Sequence, residues 1–185
     1  MKYRKRSTGW IWLFVFILSL AVAVLLTPAL KMIYPLKYEK QIEECSKQYD
    51  IDKYLIMGII SSESGFDTQA RSHKDAYGLM QLKEETALWC VENLDTGVNV
   101  ADIDKPESNI KIGCAYMRYL IDCFDGNTLV AIAAYNAGPG NVEKWLNDPS
   151  YSDGKGDLRN IPFGETATYV NKVQKRAKIY KKIYS

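Results

Sequence analysis

Residues 9–30 carry no charged side chain, and this run constrains the fold more than any other feature of the sequence. As an α-helix, the run would be about 33 Å long, which matches a membrane hydrocarbon core of about 30 Å. Trp10 and Trp12 stand near its start, where aromatic rings favour the membrane interface. We therefore predict a single transmembrane helix over residues 9–30.

The charges before this run predict its orientation. Residues 1–8 contain basic side chains and no acidic one. Because basic segments stay in the cytoplasm, we expect every residue after the run to lie outside the cytoplasm. The chain is thus predicted to be a single-pass protein of the cell membrane. The predicted parts are a cytoplasmic basic segment 1–8, a transmembrane signal-anchor 9–30, a short stalk 31–37 and an outer domain 38–185. A cleaved signal peptide is the alternative, because Ala21-Val22-Ala23 resembles a cleavage site, but the apolar run continues past it.

The charge balance and the histidine content each exclude one class of function. The whole chain has 24 basic and 22 acidic residues, and beyond residue 8 the acidic residues slightly outnumber the basic ones. A nucleic-acid binder needs a positive surface, so no nucleic-acid partner is predicted. His73 is the only histidine, which excludes a His-rich metal site, and no metal or cofactor is predicted.

Four cysteines, at positions 45, 90, 114 and 123, all lie on the predicted outer side of the membrane. Disulfides persist in such a compartment, and four cysteines allow three different pairings. Four buried free thiols are the alternative. The spacings are too wide for a CxxC zinc site.

The outer domain is predicted to be all-α, with no strand pattern or hairpin signal. Asp52 is a candidate N-cap, Gly65 a stop, and Pro106 suits a first helical turn. The predicted helices are 38–49, 53–64, 84–93, 106–124, 129–136, 142–147 and 166–184. The last helix is strongly basic from Lys172 onward, which is typical of a solvated face, or of a surface that contacts anionic polymer or lipid.

Glu63 is the most informative single residue. Ile56, Ile59 and Ile60 precede it by seven, four and three residues, so in a helix Glu63 extends their apolar face. Desolvation and the negative helix C-terminus both favour the protonated carboxyl, which suits a general acid. A solvent-exposed Glu at a frayed helix end is the alternative.

Three other segments place polar residues in apolar or small-residue surroundings. They are Tyr77-Gly78-Leu79-Met80-Gln81-Leu82, Ala134-Tyr135-Asn136-Ala137-Gly138-Pro139-Gly140 and Glu165-Thr166-Ala167-Thr168-Tyr169-Val170. Taken singly, Gln81 is equally explained as a satisfied core amide, Asn136 as a helix cap and Tyr169 as a packing aromatic.

Together with Glu63-Ser64-Gly65-Phe66, these segments closely resemble the motif series of the soluble lytic transglycosylase family, whose domain is similar to goose-type lysozyme. The resemblance covers roughly residues 40–182. It implies a lysozyme-like helical catalytic domain that cleaves the β-1,4 bond between N-acetylmuramic acid and N-acetylglucosamine in peptidoglycan, leaving a 1,6-anhydro-muramic end.

The resemblance also implies roles for single residues. Glu63 matches the family's catalytic acid and base, and Tyr169 matches the tyrosine that orients it. The residues matching substrate-binding positions are Ser64, Met80, Gln81, Tyr135, Asn136 and Tyr169. Asp75 stands where many members have Gly, Glu85 where many have Pro, and Ala167 where many have Arg. Asp tolerates the positive φ that such a glycine position requires.

Three alternatives remain open at this stage. A goose-type lysozyme would hydrolyse the same bond with water. A tethered glycan-binding module would use no catalysis, and an accessory enzyme of a wall-spanning machine would need a partner protein. Trp89 and Trp145 are candidates for lining a sugar groove, although core packing explains them as well.

Overall fold

The computed structural model describes residues 9–185, with the side chains at 22–27 and 29 lying outside the described part. The predicted cytoplasmic segment 1–8 also lies outside it. The described residues divide into two compact units, the first ending at Leu36 and the second spanning Lys37–Ser185.

The first unit contains one helix, α1, over Gly9–Ile33. The large apolar side chains that the structure describes between positions 10 and 20 are exposed along it. Within the described part of the chain, no helix has both the length and the apolarity that crossing a membrane requires. The transmembrane assignment of residues 9–30 stays a prediction.

The second unit is mostly helical, as the sequence predicted. Its helices are α2 (Glu39–Tyr49), α3 (Lys53–Glu63), α4 (Glu84–Asn93), α5 (Pro106–Cys123), α6 (Thr128–Ala137), α7 (Pro139–Leu146) and α8 (Gly164–Tyr184), with one turn of 3-10 helix at Val100–Asp102. Helix α3 packs along α8 and against α2, while α5 packs against α2, α4 and α6. Eight consecutive residues of α3 are buried, so this helix lies in the core.

Side-chain caps fix two of the helix starts. Asp52 Oδ1 accepts a hydrogen bond from the Tyr54 amide at 2.9 Å, and Asn127 Oδ1 accepts one from the Val130 amide at 3.2 Å. Each cap satisfies an amide that would otherwise lack a partner at a helix N-terminus. The predicted cap at Asp52 is confirmed, and Asn127 caps α6.

The prediction of a purely helical domain is wrong at one place. Strands β1 (Ala76–Tyr77) and β2 (Leu82–Lys83) pair antiparallel, with Ala76 opposite Lys83 and Tyr77 opposite Leu82. Two-residue strands are too short to show an alternating pattern, and the loop between them buries Leu79 and Met80. A contact far away in sequence holds this loop: Asn109 Oδ1 accepts from the Met80 amide at 2.8 Å, and Asn109 Nδ2 donates to the Tyr77 carbonyl at 3.2 Å.

Asp75 has φ 58°, so the predicted positive φ at that position is confirmed.

The helix predicted over residues 142–147 begins three residues earlier in the structure, because α7 starts at Pro139. Proline suits that first helical position because its missing N–H needs no partner there.

The cysteines are all free thiols in the structure. Cys45, Cys90 and Cys114 are buried and Cys123 is exposed. This corresponds to the free-thiol alternative, except that one of the four is at the surface.

Candidate active site around Glu63

Glu63 is the last residue of α3, and its position follows from the apolar face of that helix. Ile56, Ile59 and Ile60 are at most 1% exposed, and the Glu63 carboxyl lies next to their face in a largely buried position. Glu63 is therefore not a solvent-exposed side chain at a frayed helix end.

Tyr169 of α8 holds the carboxyl. Its hydroxyl donates a hydrogen bond to Glu63 Oε1 at 2.6 Å, across 106 residues of sequence. Burial, together with the neighbouring Glu63 charge, raises the pKa of the Tyr169 hydroxyl well above its usual range. Tyr169 therefore keeps its proton and remains a donor to Glu63.

Burial dominates the acidity of Glu63. It raises the pKa of the carboxyl to about 7, against smaller lowering effects from the Tyr169 hydrogen bond and the Lys172 charge. Near neutral pH, the site thus holds comparable amounts of the acid and of its conjugate base, which suits one carboxyl for both roles. Among the described residues, no second carboxylate affects the pKa of Glu63. The described part of the chain also contains no group of three His, Cys, Asp or Glu side chains that could hold a metal ion.

Ser64 and Gln81 join neighbouring backbone segments. The Ser64 hydroxyl donates to the Leu79 carbonyl at 2.9 Å and accepts from the Phe66 amide at 3.1 Å. The Gln81 amide nitrogen donates to the carbonyls of Ala70 and Gly78, each at 2.9 Å. Ser64 therefore ties the end of α3 to the hairpin, and Gln81 ties the hairpin to the backbone at Ala70. The role of both residues in substrate binding stays a prediction.

Tyr135 and Met80 connect α6 to the hairpin loop. The Tyr135 hydroxyl donates to the Met80 carbonyl at 2.9 Å, and Tyr135 lies close enough to Glu63 for the carboxylate to raise the pKa of its hydroxyl. The Met80 side chain is fully buried and fills the space above Gly113, leaving no room for a side chain there. Met80 thus packs the hairpin loop against α5, while Tyr135 lies near the Glu63 carboxyl.

Asn136 is tied to the start of α8. Its Oδ1 accepts a hydrogen bond from the hydroxyl of Thr166 at 2.7 Å, and Thr166 is buried. This bond fixes the first turn of α8, one turn before Tyr169 donates to Glu63. The structure therefore brings Tyr169 of α8 and Tyr135 of α6 to Glu63. Asn136 is linked to the site through Thr166, and Ser64, Gln81 and Met80 are linked to it through the hairpin.

Several residues that build this site were not predicted from the sequence. Gly58 lets α3 and α8 approach closely, and Asn109 holds the hairpin loop. Lys172 and Arg176 bind the end of α3. The signals in the sequence were Asn109 inside a helix, Gly58 in an apolar helix, and the i, i+4 pair Lys172 and Arg176. None of them indicates which distant residue it contacts, because those contacts form only in the folded chain.

The two tryptophans of the second unit have different environments. Trp145 is 6% exposed and makes an edge contact with Phe163 at 4.9 Å between ring centroids. Trp89 is 37% exposed and contacts Tyr119 edge-on at 4.9 Å. Core packing thus explains Trp145, and only Trp89 presents a ring to solvent.

We expect Tyr169→Phe to raise the pKa of Glu63 above about 7, because the hydroxyl that stabilises the ionised carboxylate is removed. The measurement is a ¹³C NMR titration of protein with labelled glutamate carboxyls, in which Glu63→Gln identifies the Glu63 signal. Tyr116→Phe is the matched control, since Tyr116 packs on Tyr135 at 5.5 Å without bonding to Glu63. An unchanged midpoint in Tyr169→Phe would contradict the assigned hydrogen bond.

Comparison with known proteins places this chain in one family. The family described as "Transglycosylase SLT domain" matches residues 40–157. A soluble lytic murein transglycosylase of Salmonella typhimurium is 35% identical over 143 residues, which cover 76% of this chain and 22% of that protein. A membrane-bound lytic murein transglycosylase C of Edwardsiella ictaluri is 30% identical over 174 residues, covering 80% of this chain and 47% of that protein.

Solved structures agree with the sequence comparison. An inactive variant of the lytic transglycosylase Slt from Pseudomonas aeruginosa superposes with a TM-score of 0.72 at 32% identity, over 83% of this chain and 25% of that one. The 70-kDa soluble lytic transglycosylase of Escherichia coli gives 0.73 at 31% identity, with the same coverage. This chain thus spans about a quarter of the length of the soluble relatives it matches.

Proposed function

The chain belongs to the family of the transglycosylase SLT domain, and we propose that it is a peptidoglycan lytic transglycosylase. It cleaves the β-1,4 bond between N-acetylmuramic acid and N-acetylglucosamine and leaves a 1,6-anhydro-muramic end. One observation carries this proposal: a single buried carboxyl, Glu63, is held by the Tyr169 hydroxyl at 2.6 Å and has a pKa raised by burial to about 7.

In the first step, protonated Glu63 donates its proton to the glycosidic oxygen as the bond to the muramic C1 breaks. Most glycosidases use a second carboxylate, about 5–9.5 Å from the first, as a nucleophile or as a base that activates water. The matched motifs place no second acid beside Glu63, and the family resemblance implies that the substrate's own N-acetyl oxygen supplies the electrons and bonds to C1.

In the second step, Glu63 is ionised and acts as the base. It takes the proton of the muramic C6 hydroxyl while that oxygen attacks C1 and displaces the N-acetyl oxygen. The acetamide is restored, Glu63 is protonated again, and no water is consumed. A carboxyl that serves as acid and then as base works best with a pKa near the working pH.

We assign glycan contact to residues around this carboxyl, as the family motifs imply. Tyr135 is half-buried near Glu63, and Asn136, the next residue of α6, is half-buried as well, so we assign direct sugar contact to these two. Ser64, Gln81 and Met80 act chiefly through the backbone that they hold or cover.

Mass spectrometry of the products tests the activity. The full chain in detergent micelles is incubated with purified peptidoglycan, and the soluble muropeptides are weighed. Fragments lighter by one water, with anhydro-muramic ends, are the expected result. Reducing ends of full mass would assign a lysozyme reaction instead, and binding without any cleavage would assign a glycan-binding module.

We further propose that residues 9–30 anchor the enzyme in the cell membrane, with the second unit outside the cytoplasm. The run has no charge, its backbone from Gly9 to Ile33 is helical, and relatives of this chain are named membrane-bound. Cleavage would then act on peptidoglycan close to the membrane surface.

Alkaline carbonate extraction of membranes tests the anchor. The chain is expected to stay in the membrane pellet, and the double variant Ile17→Lys, Leu20→Lys is expected to be released. Each charge near the centre of the span costs about 3 kcal/mol of insertion free energy. The matched control is Met32→Lys, Ile33→Lys, beyond the run. Release of the wild-type chain, or retention of the central variant, would contradict the proposal.

A further inference from the structure

Two cations of α8 bind the C-terminal end of α3. Lys172 Nζ donates to the Ser62 carbonyl at 2.8 Å, and Arg176 Nη1 donates to the carbonyl and the hydroxyl of Ser61. Lys172 and Arg176 are one helical turn apart and therefore lie on the same face of α8. Lys172 is itself exposed, as are the other lysines of this part of the helix, Lys175, Lys178, Lys181 and Lys182, whereas Arg176 is half-buried.

These contacts provide hydrogen-bond donors for backbone carbonyls at the C-terminal end of α3. The last carbonyls of an α-helix have no partner within the helix, and they carry a partial negative charge. In α3, the Ile60 carbonyl is bonded by the Ser64 amide, whereas the next two carbonyls, of Ser61 and Ser62, are bonded by α8. The residue that follows them is Glu63.

This arrangement changes the electrostatics that the sequence suggested. An unneutralised helix C-terminus would disfavour the ionised form of Glu63. Two positive charges instead neutralise the terminus, and one of them acts on the carboxyl itself. The polar groups that face Glu63 are Tyr169 and Lys172 from α8 and Tyr135 from α6.

We propose that Lys172 is a positioning residue that fixes the end of α3 and whose charge favours the ionised form of Glu63. Arg176 anchors the same helix end without acting on the carboxyl. The part played by Lys172 in catalysis rests on the proposed function, whereas its effect on the protonation of Glu63 does not.

Neutralising Lys172 should therefore favour the protonated carboxyl. If cleavage begins with protonated Glu63, activity in Lys172→Met should persist to higher pH than in the wild type. A shift of about half a unit in the midpoint would raise the ratio of initial rates at pH 8 and pH 6 about two- to three-fold at limiting peptidoglycan.

The experiment compares the full chain with three Lys172 variants and one control variant in two measurements. Lys172→Met and Lys172→Gln remove the charge with an apolar and a polar side chain, and Lys172→Arg keeps it. Lys175→Met is the matched control, because Lys175 is an exposed lysine of the same helix, one turn away. The measurements are the NMR titration of the Glu63 carboxyl and the pH profile of peptidoglycan cleavage.

The expected result is a higher Glu63 midpoint in both neutral variants, with wild-type values in Lys172→Arg and Lys175→Met. A loss of stability or rate in the neutral variants with no change in midpoint would overturn the proposal. If no form of the protein cleaves peptidoglycan, the proposed function fails, but the NMR midpoint still decides the role of Lys172.

Discussion

Glu63→Gln is expected to lose peptidoglycan cleavage by about a thousandfold or more while remaining folded. A carboxamide has nearly the shape of the carboxyl, but it cannot give up a proton to the glycosidic oxygen or take one from the C6 hydroxyl. General acid–base catalysis by one side chain contributes about 10²–10⁴-fold in rate, and here one group performs both transfers. Release of anhydro-muropeptides, measured by mass spectrometry over time, gives the rate.

The same substitution has an expected effect on stability, with a definite sign. The folded protein raises the pKa of Glu63 from 4.5 to about 7, so it binds this proton more tightly than the unfolded chain does. The resulting contribution to stability is fully present below pH 4.5 and is lost as the pH rises through 7. Relative to wild type, Glu63→Gln should gain up to about 3 kcal/mol in free energy of unfolding between pH 4 and pH 8.

Glu92→Gln is the matched control, since Glu92 is exposed near the end of α4. It should keep wild-type cleavage and show no such pH-dependent gain in stability. A Glu63→Gln variant that cleaves at the wild-type rate would remove Glu63 from the mechanism. A variant that is inactive because it is unfolded at pH 8 would contradict the predicted gain in stability, and urea denaturation distinguishes the two cases.

The burial of Glu63 was predictable because its cause is local. Ile56, Ile59 and Ile60 define one face of a helix, and the 3.6-residue period places Glu63 on that face. The pairing with Tyr169 has a different origin, since 106 residues separate the two side chains. Only the motif resemblance suggested that pairing, because helix periodicity carries no information about which helices meet.

The parts that sequence analysis missed depend on contacts between distant segments. The hairpin loop is stabilised by Asn109, which is 29 residues from Met80. Lys172 and Arg176 belong to a helix whose basic composition is typical of a solvated face, and their partners are backbone carbonyls. Backbone carbonyls leave no trace in residue types, so no sequence pattern identifies such a contact.

Gly58 shows how a single missing side chain sets the geometry of the site. A Cβ at this position would lie 2.9 Å from the Val173 carbonyl oxygen and 3.0 Å from the Ala177 amide nitrogen, both in the backbone of α8. These atoms cannot rotate away as a side chain would. The close crossing at Gly58 therefore determines how near α8 comes to the end of α3, where Tyr169 reaches Glu63.

Gly58→Ala is accordingly expected to destabilise the protein, although Ala is the better helix former by about 1 kcal/mol. Overpacking a tight contact costs about 1–3 kcal/mol, and the backbone of α8 must shift to make room. Because a displacement of about 1 Å at a catalytic group can cost up to about a hundredfold in rate, cleavage should fall at least about tenfold. Urea denaturation and the release of anhydro-muropeptides measure the two effects.

Gly164→Ala is the control that separates crowding from the loss of a glycine as such. Gly164 is the first residue of α8, and a Cβ there would meet nothing within 4 Å. This variant should match or slightly exceed wild-type stability, because its helix gains the propensity of Ala without a clash. If Gly58→Ala were as stable and as active as Gly164→Ala, the separation of α3 and α8 would not depend on Gly58. The distance between Glu63 and Tyr169 would then have to be fixed by the other contacts along α8, of which the Thr166–Asn136 bond and the Lys172–Ser62 bond lie closest to Tyr169 in sequence.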